Sequence, residues 1–276
     1  MTPDELLAAW HEQQTAFIEF RGLRTRMITD ALVALRAELG RPLRLLDLAC
    51  GPASLASAAL EALPDGEAGA VDCDPVLLRL ARETNRFGDR LRLVEADLVD
   101  PDLVAVLPPG PYDAAFSATA LHWLDPDALV AFYQRLPGLL GPGALFLNAD
   151  HLGYDGVRNP WLNARARESR DAFERRACAD GAMGWDEWWG AATGMPGWER
   201  EAADRERVWA DKHTVVKVDP DFHLAALRAA GFAETGQLYQ LLDDRIIFGR
   251  MPPLGRRPRS PGGEGQGGAG RAGRAR

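Results

Sequence analysis

Residues 43–54 read Leu43-Arg44-Leu45-Leu46-Asp47-Leu48-Ala49-Cys50-Gly51-Pro52-Ala53-Ser54. The apolar run that opens this stretch is typical of a buried parallel strand, and it ends at an acid followed by small residues. Pro52 fixes φ as the first turn of a helix requires, so a helix is predicted to begin at Pro52. A strand, a tight turn and a helix start in this order are where α/β proteins hold nucleotide-like ligands.

The acid at the end of this strand bears on the charge of the ligand. A dinucleotide brings a pyrophosphate, which backbone N–H groups bind in a G-x-G-x-x-G turn, and that spacing is absent here. Asp47 would repel a diphosphate, whereas it suits a ligand that carries an ammonium and a sulfonium group. S-adenosylmethionine is such a ligand.

The same stretch resembles the first motif of the class I S-adenosylmethionine-dependent methyltransferases that act on small molecules, an acid followed by alternating glycines. Asp47, Gly51 and the helix start at Pro52 match that motif, while Ala49 and Ala53 stand where the family usually has glycine. The resemblance implies that S-adenosyl-L-methionine is the cofactor and that Asp47, Ala49 and Gly51 belong to its site.

Further strands indicate the fold class. Buried or alternating runs predict strands at residues 68–72, 91–95, 114–117 and 144–148, each separated from the next by a helical segment. Five strands that alternate with helices indicate a doubly wound α/β fold with a parallel sheet. Residues 237–242 and 245–249 form a predicted hairpin around Asp243-Asp244, and the resemblance implies that this antiparallel pair completes a mostly parallel sheet of seven strands.

The chain divides into five predicted parts: N-terminal helices (1–40), a cofactor-binding α/β core (41–155), an inserted helical cap (156–212), the end of the core (213–251) and a disordered tail (252–276). The cap holds six of the eight tryptophans, which either pack its helices or shape an apolar pocket. Residues 213–218 are apolar enough to return the chain to the sheet. The tail holds six arginines, one glutamate and eight glycines, a composition typical of disorder.

Three acids that follow strands are expected to converge, because ligands of such sheets bind at the carboxyl ends of the strands. Asp72 lies 21 residues beyond Gly51, close to the spacing of an acid that binds ribose hydroxyls. Its neighbour Cys73 is placed in the same site, and Asp74 is a helix cap. The resemblance implies that Asp97 accepts a hydrogen bond from the adenine amine and that Leu98 covers the ring.

Two further cofactor contacts come from the resemblance. N-terminal helices of the family often close over the cofactor, which makes Arg24 a candidate contact, although a packed helix with solvated charges fits as well. Small residues of the family's fourth motif line the wall near the sulfonium, which makes Ser117, the last residue of the predicted fourth strand, another candidate. Methyl transfer is an in-line displacement in which the protein mainly supplies proximity and alignment. Catalytic residues are therefore harder to name than cofactor residues.

Three residues are candidates for catalysis. His122 follows the motif that faces the acceptor and titrates near neutrality, so it is the best candidate for a general base, although a structural hydrogen bond at a helix-entry turn fits it as well. Asp150 and His151, just beyond the fifth strand, form a second polar group at the rim. The other histidines are scattered and suggest no metal site.

Composition sets the remaining expectations. The net charge is −8, and since the basic tail contributes +5, the body is acidic, which argues against a nucleic-acid-binding domain. No apolar run approaches membrane-spanning length, and three cysteines without metal spacing read as reduced thiols, so a cytoplasmic enzyme with a small-molecule substrate is expected. Two alternatives remain: a nicotinamide-dependent oxidoreductase, and a methyltransferase-like fold acting as a non-methylating cyclase or scaffold.

Overall fold

The sheet has the order β3-β2-β1-β4-β5-β7-β6 in the computed structural model, which describes residues 1–210 and 216–254. β7 runs antiparallel to β5 and β6, and the other neighbours are parallel. The predicted mostly parallel seven-stranded fold with an antiparallel C-terminal hairpin is confirmed. Its strands are β1 (Arg44–Leu48), β2 (Glu67–Asp72), β3 (Leu91–Glu95), β4 (Tyr112–Ala118), β5 (Leu140–His151), β6 (Glu234–Leu241) and β7 (Asp244–Arg250).

Helices cover both faces of this sheet. Several begin where the sequence supplies a cap: Thr2 and Glu5 form a capping box on α1, and Asp74 and Asp219 accept N–H groups at the starts of α4 and α10. The helices are α1 (Pro3–Phe17), α2 (Arg21–Leu39), α3 (Ser54–Ala62), α4 (Pro75–Glu83), α5 (Leu103–Val106), α6 (Pro126–Leu139), α7 (Pro160–Ala179), α8 (Trp185–Thr193), α9 (Glu199–Trp209) and α10 (Pro220–Ala229). A short 3₁₀ helix at Leu121–Trp123 follows β4.

Alternation along the strands separates two core layers. Leu45, Phe116 and Ala149 pack with the helices α2 and α3 on one face. Leu46 and Phe146 pack with α6 and α10 on the other face. A third cluster joins α1, α4 and α8, so the N-terminal helix and the helices between β5 and α10 pack together over one end of the sheet.

Three details differ from the sequence prediction. β5 extends to His151, so Asp150 and His151 lie within the strand rather than just beyond it. The helix after β1 begins at Ser54 rather than Pro52, because Ala53 takes a left-handed conformation as its N-cap and leaves Pro52 in the turn. Of the segment 213–218, which is expected to return the chain to the sheet, the described part, 216–218, is irregular, and 213–215 lie outside the described residues. The predicted disordered tail also lies outside them, apart from residues 252–254.

Candidate active site

A cavity of about 1920 Å³ lies at the carboxyl ends of the parallel strands. Ten of the twelve residues that the sequence nominates line it: Arg24, Asp47, Ala49, Gly51, Asp72, Cys73, Asp97, Leu98, His122 and His151. The other two do not. Ser117 and Asp150 are fully buried, and the residues after Ser117, from Ala118 to Ala120, line the wall in its place. The expected direct contact of Ser117 with a ligand is therefore corrected.

The turn after β1 is a run of alternating left-handed residues. Ala49, Gly51 and Ala53 have φ of 53°, 56° and 57°, a region that costs an alanine about 1–2 kcal/mol. The two alanines stand at the positions where the sequence analysis expected glycine, and the conformation is the one that favours glycine. The turn is held by hydrogen bonds from Cys50 N–H to the Val71 carbonyl (3.0 Å) and from Ala53 N–H to the Cys50 carbonyl (2.9 Å).

Asp72 fastens this turn to the end of β2. One carboxylate oxygen accepts the Gly51 N–H at 2.7 Å and the other accepts the Asp74 N–H at 2.8 Å. Burial raises the pKa of Asp72 to about 6, although the two backbone donors oppose the rise. Asp72 therefore holds the turn in place and also lines the cavity.

Asp47 is the second buried acid of the cavity. Its carboxylate accepts the Ala56 N–H at 2.9 Å, and burial, together with the charge of Asp72, raises its pKa to about 7. Two neighbouring acids that are costly to ionise favour a cationic ligand, because a positive group stabilises their charged forms. The electrostatics of the cavity thus agree with the charge argument made from the sequence.

Asp97 and Leu98 follow β3 at the next strand end. The Asp97 carboxylate accepts the Val99 N–H at 3.1 Å, which shapes the loop. Leu98 is buried, and its carbonyl accepts a hydrogen bond from Arg135 at 2.9 Å. The loop places an acid and an apolar side chain side by side on the cavity wall.

His122 and Asp150 form a hydrogen-bonded pair. The His122 Nδ1 lies 2.8 and 3.0 Å from the two carboxylate oxygens of Asp150. Burial raises the pKa of Asp150, but His122 and Arg24 outweigh it and bring the pKa down to about 2, so the carboxylate is ionised. An ionised carboxylate accepts the Nδ1–H, which leaves Nε2 of a cavity-lining histidine for a ligand.

Comparisons with known proteins agree with this geometry. Residues 45–143, from β1 into β5, match the family model of the methyltransferase domain. Residues 45–143 are therefore a methyltransferase domain.

Two curated relatives are similar to parts of this chain. The chain is 29% identical over 139 residues to a trans-aconitate 2-methyltransferase of Azoarcus sp. (strain BH72), which is half of each chain. It is 34% identical over 104 residues to a malonyl-[acyl-carrier protein] O-methyltransferase of Alcanivorax borkumensis, which is 38% of this chain and 33% of the relative. The matches thus span half of the first relative and a third of the second.

One solved structure shows the same fold. An O-methyltransferase family protein from Burkholderia thailandensis superposes with a TM-score of 0.51 at 17% identity, over 88% of this chain and 64% of that chain. The resemblance in fold extends beyond the matched domain to most of the chain.

Arg24 lines the cavity and carries a donor without a partner among the described residues. It is only 3% exposed; its Nε lies 3.5 Å from Asp244, and its Nη1 has no hydrogen-bond partner among the described residues. A buried guanidinium N–H is costly when unpaired, and its planar fork fits a carboxylate. The donor set therefore fits the methionine carboxylate of S-adenosyl-L-methionine.

His151 differs from His122 despite being next to Asp150. Only its backbone N–H reaches the Asp150 carboxylate, at 2.8 Å. Burial lowers the pKa of His151 to about 4, so the ring is neutral at pH 7, and its Nδ1 has no partner in the part of the chain that the structure describes. The two histidines therefore do not form one catalytic unit.

Side chains of α8 and α9 line the cavity beside Asp74. The Trp209 Nε1 donates to the Asp74 carboxylate at 3.0 Å, and Arg205 forms an ion pair with it at 3.0 Å. The Arg205 guanidinium stacks 3.5 Å from the centroid of the Trp189 ring. The sequence analysis did not nominate Trp10 of α1, whose ring centroid lies 4.7 Å from that of Trp188 and which lines the cavity. The apolar face of the predicted helix that carries Trp10 could have indicated it.

Asp74→Ala is expected to lower the free energy of unfolding by about 2–4 kcal/mol, because it removes a helix cap and leaves Arg205 without its partner. Asp219→Ala is the matched control, since Asp219 also precedes a proline and caps a helix through one N–H, and should cost about 1 kcal/mol. Urea denaturation measures both. Equal losses in the two variants would show that the α9 contacts add nothing.

Among the described residues, no helix is both long enough and apolar enough to cross a membrane. The same part of the chain holds no group of three or more side chains suited to a metal ion.

Proposed function

We propose that this chain transfers the methyl group of S-adenosyl-L-methionine to an oxygen of a small-molecule acid. The observation that carries the proposal is that His122, held from behind by the buried Asp150, lines the same cavity as the two acids at the ends of β1 and β2. The cavity thus contains two acids that favour a cationic ligand, and a histidine whose Nε2 can contact the acceptor.

Each part of S-adenosyl-L-methionine is assigned to a different residue of the cavity. Asp72 would accept the ribose hydroxyls, Asp97 the adenine amine, and Leu98 would cover the ring. Arg24 would donate to the carboxylate, and Asp47 would face the positive groups beside Ala49, Gly51 and Cys73. When bound, S-adenosyl-L-methionine supplies a methyl group already activated by its sulfonium, so the protein contributes alignment and exclusion of water.

Cofactor binding is expected to release protons near pH 6. The pKa values of Asp47 and Asp72, about 7 and about 6, mean that both are partly protonated there, and a cation with hydroxyl donors favours their ionised forms. Affinity should therefore rise from pH 6 to pH 8. Calorimetry at pH 6 in two buffers of different ionisation enthalpy measures the release, and it should vanish at pH 8.5. Buffer-independent heats at pH 6 would contradict the assignment.

The acceptor is proposed to be a carboxylic acid. A cavity of about 1920 Å³ exceeds the ~300–1,000 Å³ of ordinary small-molecule sites, so there is room for a second molecule beside the cofactor. The lining of this cavity includes three basic residues, Arg21, Arg170 and Lys217, whose charges favour an anionic acceptor. The two named relatives act on trans-aconitate and on a malonyl group, and both of these carry free carboxylates.

For a carboxylate acceptor, His122 would act as a donor in its protonated form. The Nε2–H would hold the acceptor oxygen while Asp150 fixes the ring. The rate is therefore expected to fall as pH rises and His122 loses its proton, since a carboxylate needs no base. A pH–rate profile with trans-aconitate and smaller dicarboxylates measures this.

A second candidate, a hydroxyl acceptor, is favoured by one observation: a buried ionised carboxylate on Nδ1 is the arrangement that orients a histidine as a base. His122 would then take the hydroxyl proton, and the rate would rise with pH instead. The sign of the profile separates the two acceptors.

The experiment that tests the function uses cofactor labelled in the methyl group with a panel of acids and alcohols. A methyl ester releases labelled methanol in mild alkali, whereas a methyl ether keeps its label. Cofactor binding without transfer to any acceptor would favour the cyclase or scaffold alternative. NADH binding in place of S-adenosylhomocysteine would favour the oxidoreductase.

We also propose that residues 156–212 act as a cap on this cavity, supported by the cavity-lining Trp189, Arg205 and Trp209. A cytoplasmic location is proposed as well, supported by three free cysteines. Cell fractionation tests the location, and deletion of the cap should raise the KM for the acceptor more than the Kd for S-adenosylhomocysteine.

A further inference from the structure

A layer of buried polar side chains lies behind His122, between the sheet and the helices α6 and α10. Phe146 packs 5.6 Å from Tyr133 of α6, so alternation along β5 places Asn148 and Asp150 on the same face. Ser117 is the register partner of Asn148 on β4 and shares that face. Ser117, Asn148 and Asp150 are fully buried.

A hydrogen-bonded pair from two helices borders this layer. The Tyr133 Oη lies 2.7 Å from the Nδ1 of His223, which belongs to α10. Burial lowers the pKa of His223 to about 4, and the charge of Asp150 partly opposes that fall. The neutral ring accepts the Tyr133 hydroxyl proton at Nδ1. Asp150 also adds to the rise that burial causes in the pKa of Tyr133, so the carboxylate acts on both members of the pair.

The layer contains polar atoms with no protein partner. The Ser117 Oγ and both side-chain polar atoms of Asn148 lack a hydrogen bond within the described residues. An unmade hydrogen bond of this kind costs about 1–3 kcal/mol, and buried polar groups are nearly always satisfied. Buried water that makes two to four hydrogen bonds is the usual solution in a polar interior.

We propose that Ser117, Asn148, Tyr133 and His223 form a water-linked network that ends on Asp150 and sets the orientation and protonation of His122. The four are positioning residues, because they act on the acceptor only through the pair at the cavity wall. The inference rests on the proposed role of His122, but it is independent of which acceptor is methylated.

The test follows the His122 ring by NMR titration in the full-length protein, with histidine labelled in the ring and the His122 signal assigned by His122→Gln. In Asn148→Leu and Tyr133→Phe, the proposed water network loses one of its anchors, so the water that donates to the Asp150 carboxylate competes less with His122. The histidine then becomes its main partner, so the titration midpoint of His122 should move upward.

Tyr239→Phe is the matched control. Its hydroxyl also lacks a partner among the described residues, but it lies on β6 near Phe20, and its removal should leave the His122 midpoint unchanged. Thermal melts establish that each variant is folded, and Tyr133→Phe, which deletes one oxygen, keeps the test decisive if Asn148→Leu does not fold.

A wild-type midpoint in folded Tyr133→Phe and Asn148→Leu would overturn the network. The titration needs no acceptor, so its outcome is separate from that of the labelled-methyl assay. Where methyl transfer is detected, the midpoint of the pH–rate profile should shift in the same direction as the NMR titration midpoint of His122.

Discussion

Asp72→Asn is expected to weaken S-adenosylhomocysteine binding by about 100-fold or more. Hydrogen bonds to a charged group are worth about 1.5–3 kcal/mol each, and loss of the carboxylate weakens both bonds to the ribose hydroxyls; 2.7 kcal/mol already corresponds to roughly 100-fold. The substitution also puts an amide nitrogen where Asp72 accepts the Gly51 and Asp74 N–H groups, so one backbone donor would face another donor.

Calorimetry gives the affinity and urea denaturation the stability, which should fall by about 1–3 kcal/mol. Asp102→Asn is the control, because Asp102 is an exposed acid in the loop after β3 and does not line the cavity. Native affinity in folded Asp72→Asn would remove Asp72 from the cofactor site.

Asp150→Asn is expected to lower kcat by about 10²-fold or more while the affinity for S-adenosylhomocysteine stays within about twofold. Asn has the same shape but no charge, so it neither holds a protonated His122 nor selects the tautomer whose Nε2 is free. Because Asp150 has no exposed surface and contacts His122 directly, the effect should act through that ring.

The measurements are the labelled-methyl assay and calorimetry on the same preparations. Asp127→Asn, an exposed acid on α6, is the control and should leave both unchanged. A wild-type kcat in Asp150→Asn, with the variant folded, would show that the pair is only structural.

The sequence predicted those helices and strands that are marked by residues within the element itself. The apolar run before Asp47, the Asp74-Pro75 cap and the turn at Asp243-Asp244 placed β1, α4 and the final hairpin. The helix start after β1 was misplaced by two residues, because Pro52 suits a first helical turn and nothing local reveals that Ala53 is left-handed. A strained backbone is stabilised by its surroundings rather than by its own residue types.

The sequence predicted which strand ends would carry the site residues, but it did not predict the contacts that those residues make. Convergence of Asp47, Asp72 and Asp97 follows from parallel topology alone. The pairing of His122 with Asp150 depends on how β4 and β5 stand in register and on the angle of a short 3₁₀ helix, and periodicity carries neither. Ser117 shows the limit most clearly. It still belongs to β4, where alternation turns its side chain into the buried layer, and the wall begins only at Ala118.

The left-handed run through Ala49, Gly51 and Ala53 has a thermodynamic consequence for the ligand. Folding fixes these dihedrals before any ligand arrives, with hydrogen bonds from Cys50, Gly51 and Ala53 already made. Association therefore does not bear the entropic cost of ordering that loop, which is the advantage of preorganisation. The protein is locally less stable than a glycine-rich turn would make it, and its binding surface is correspondingly rigid.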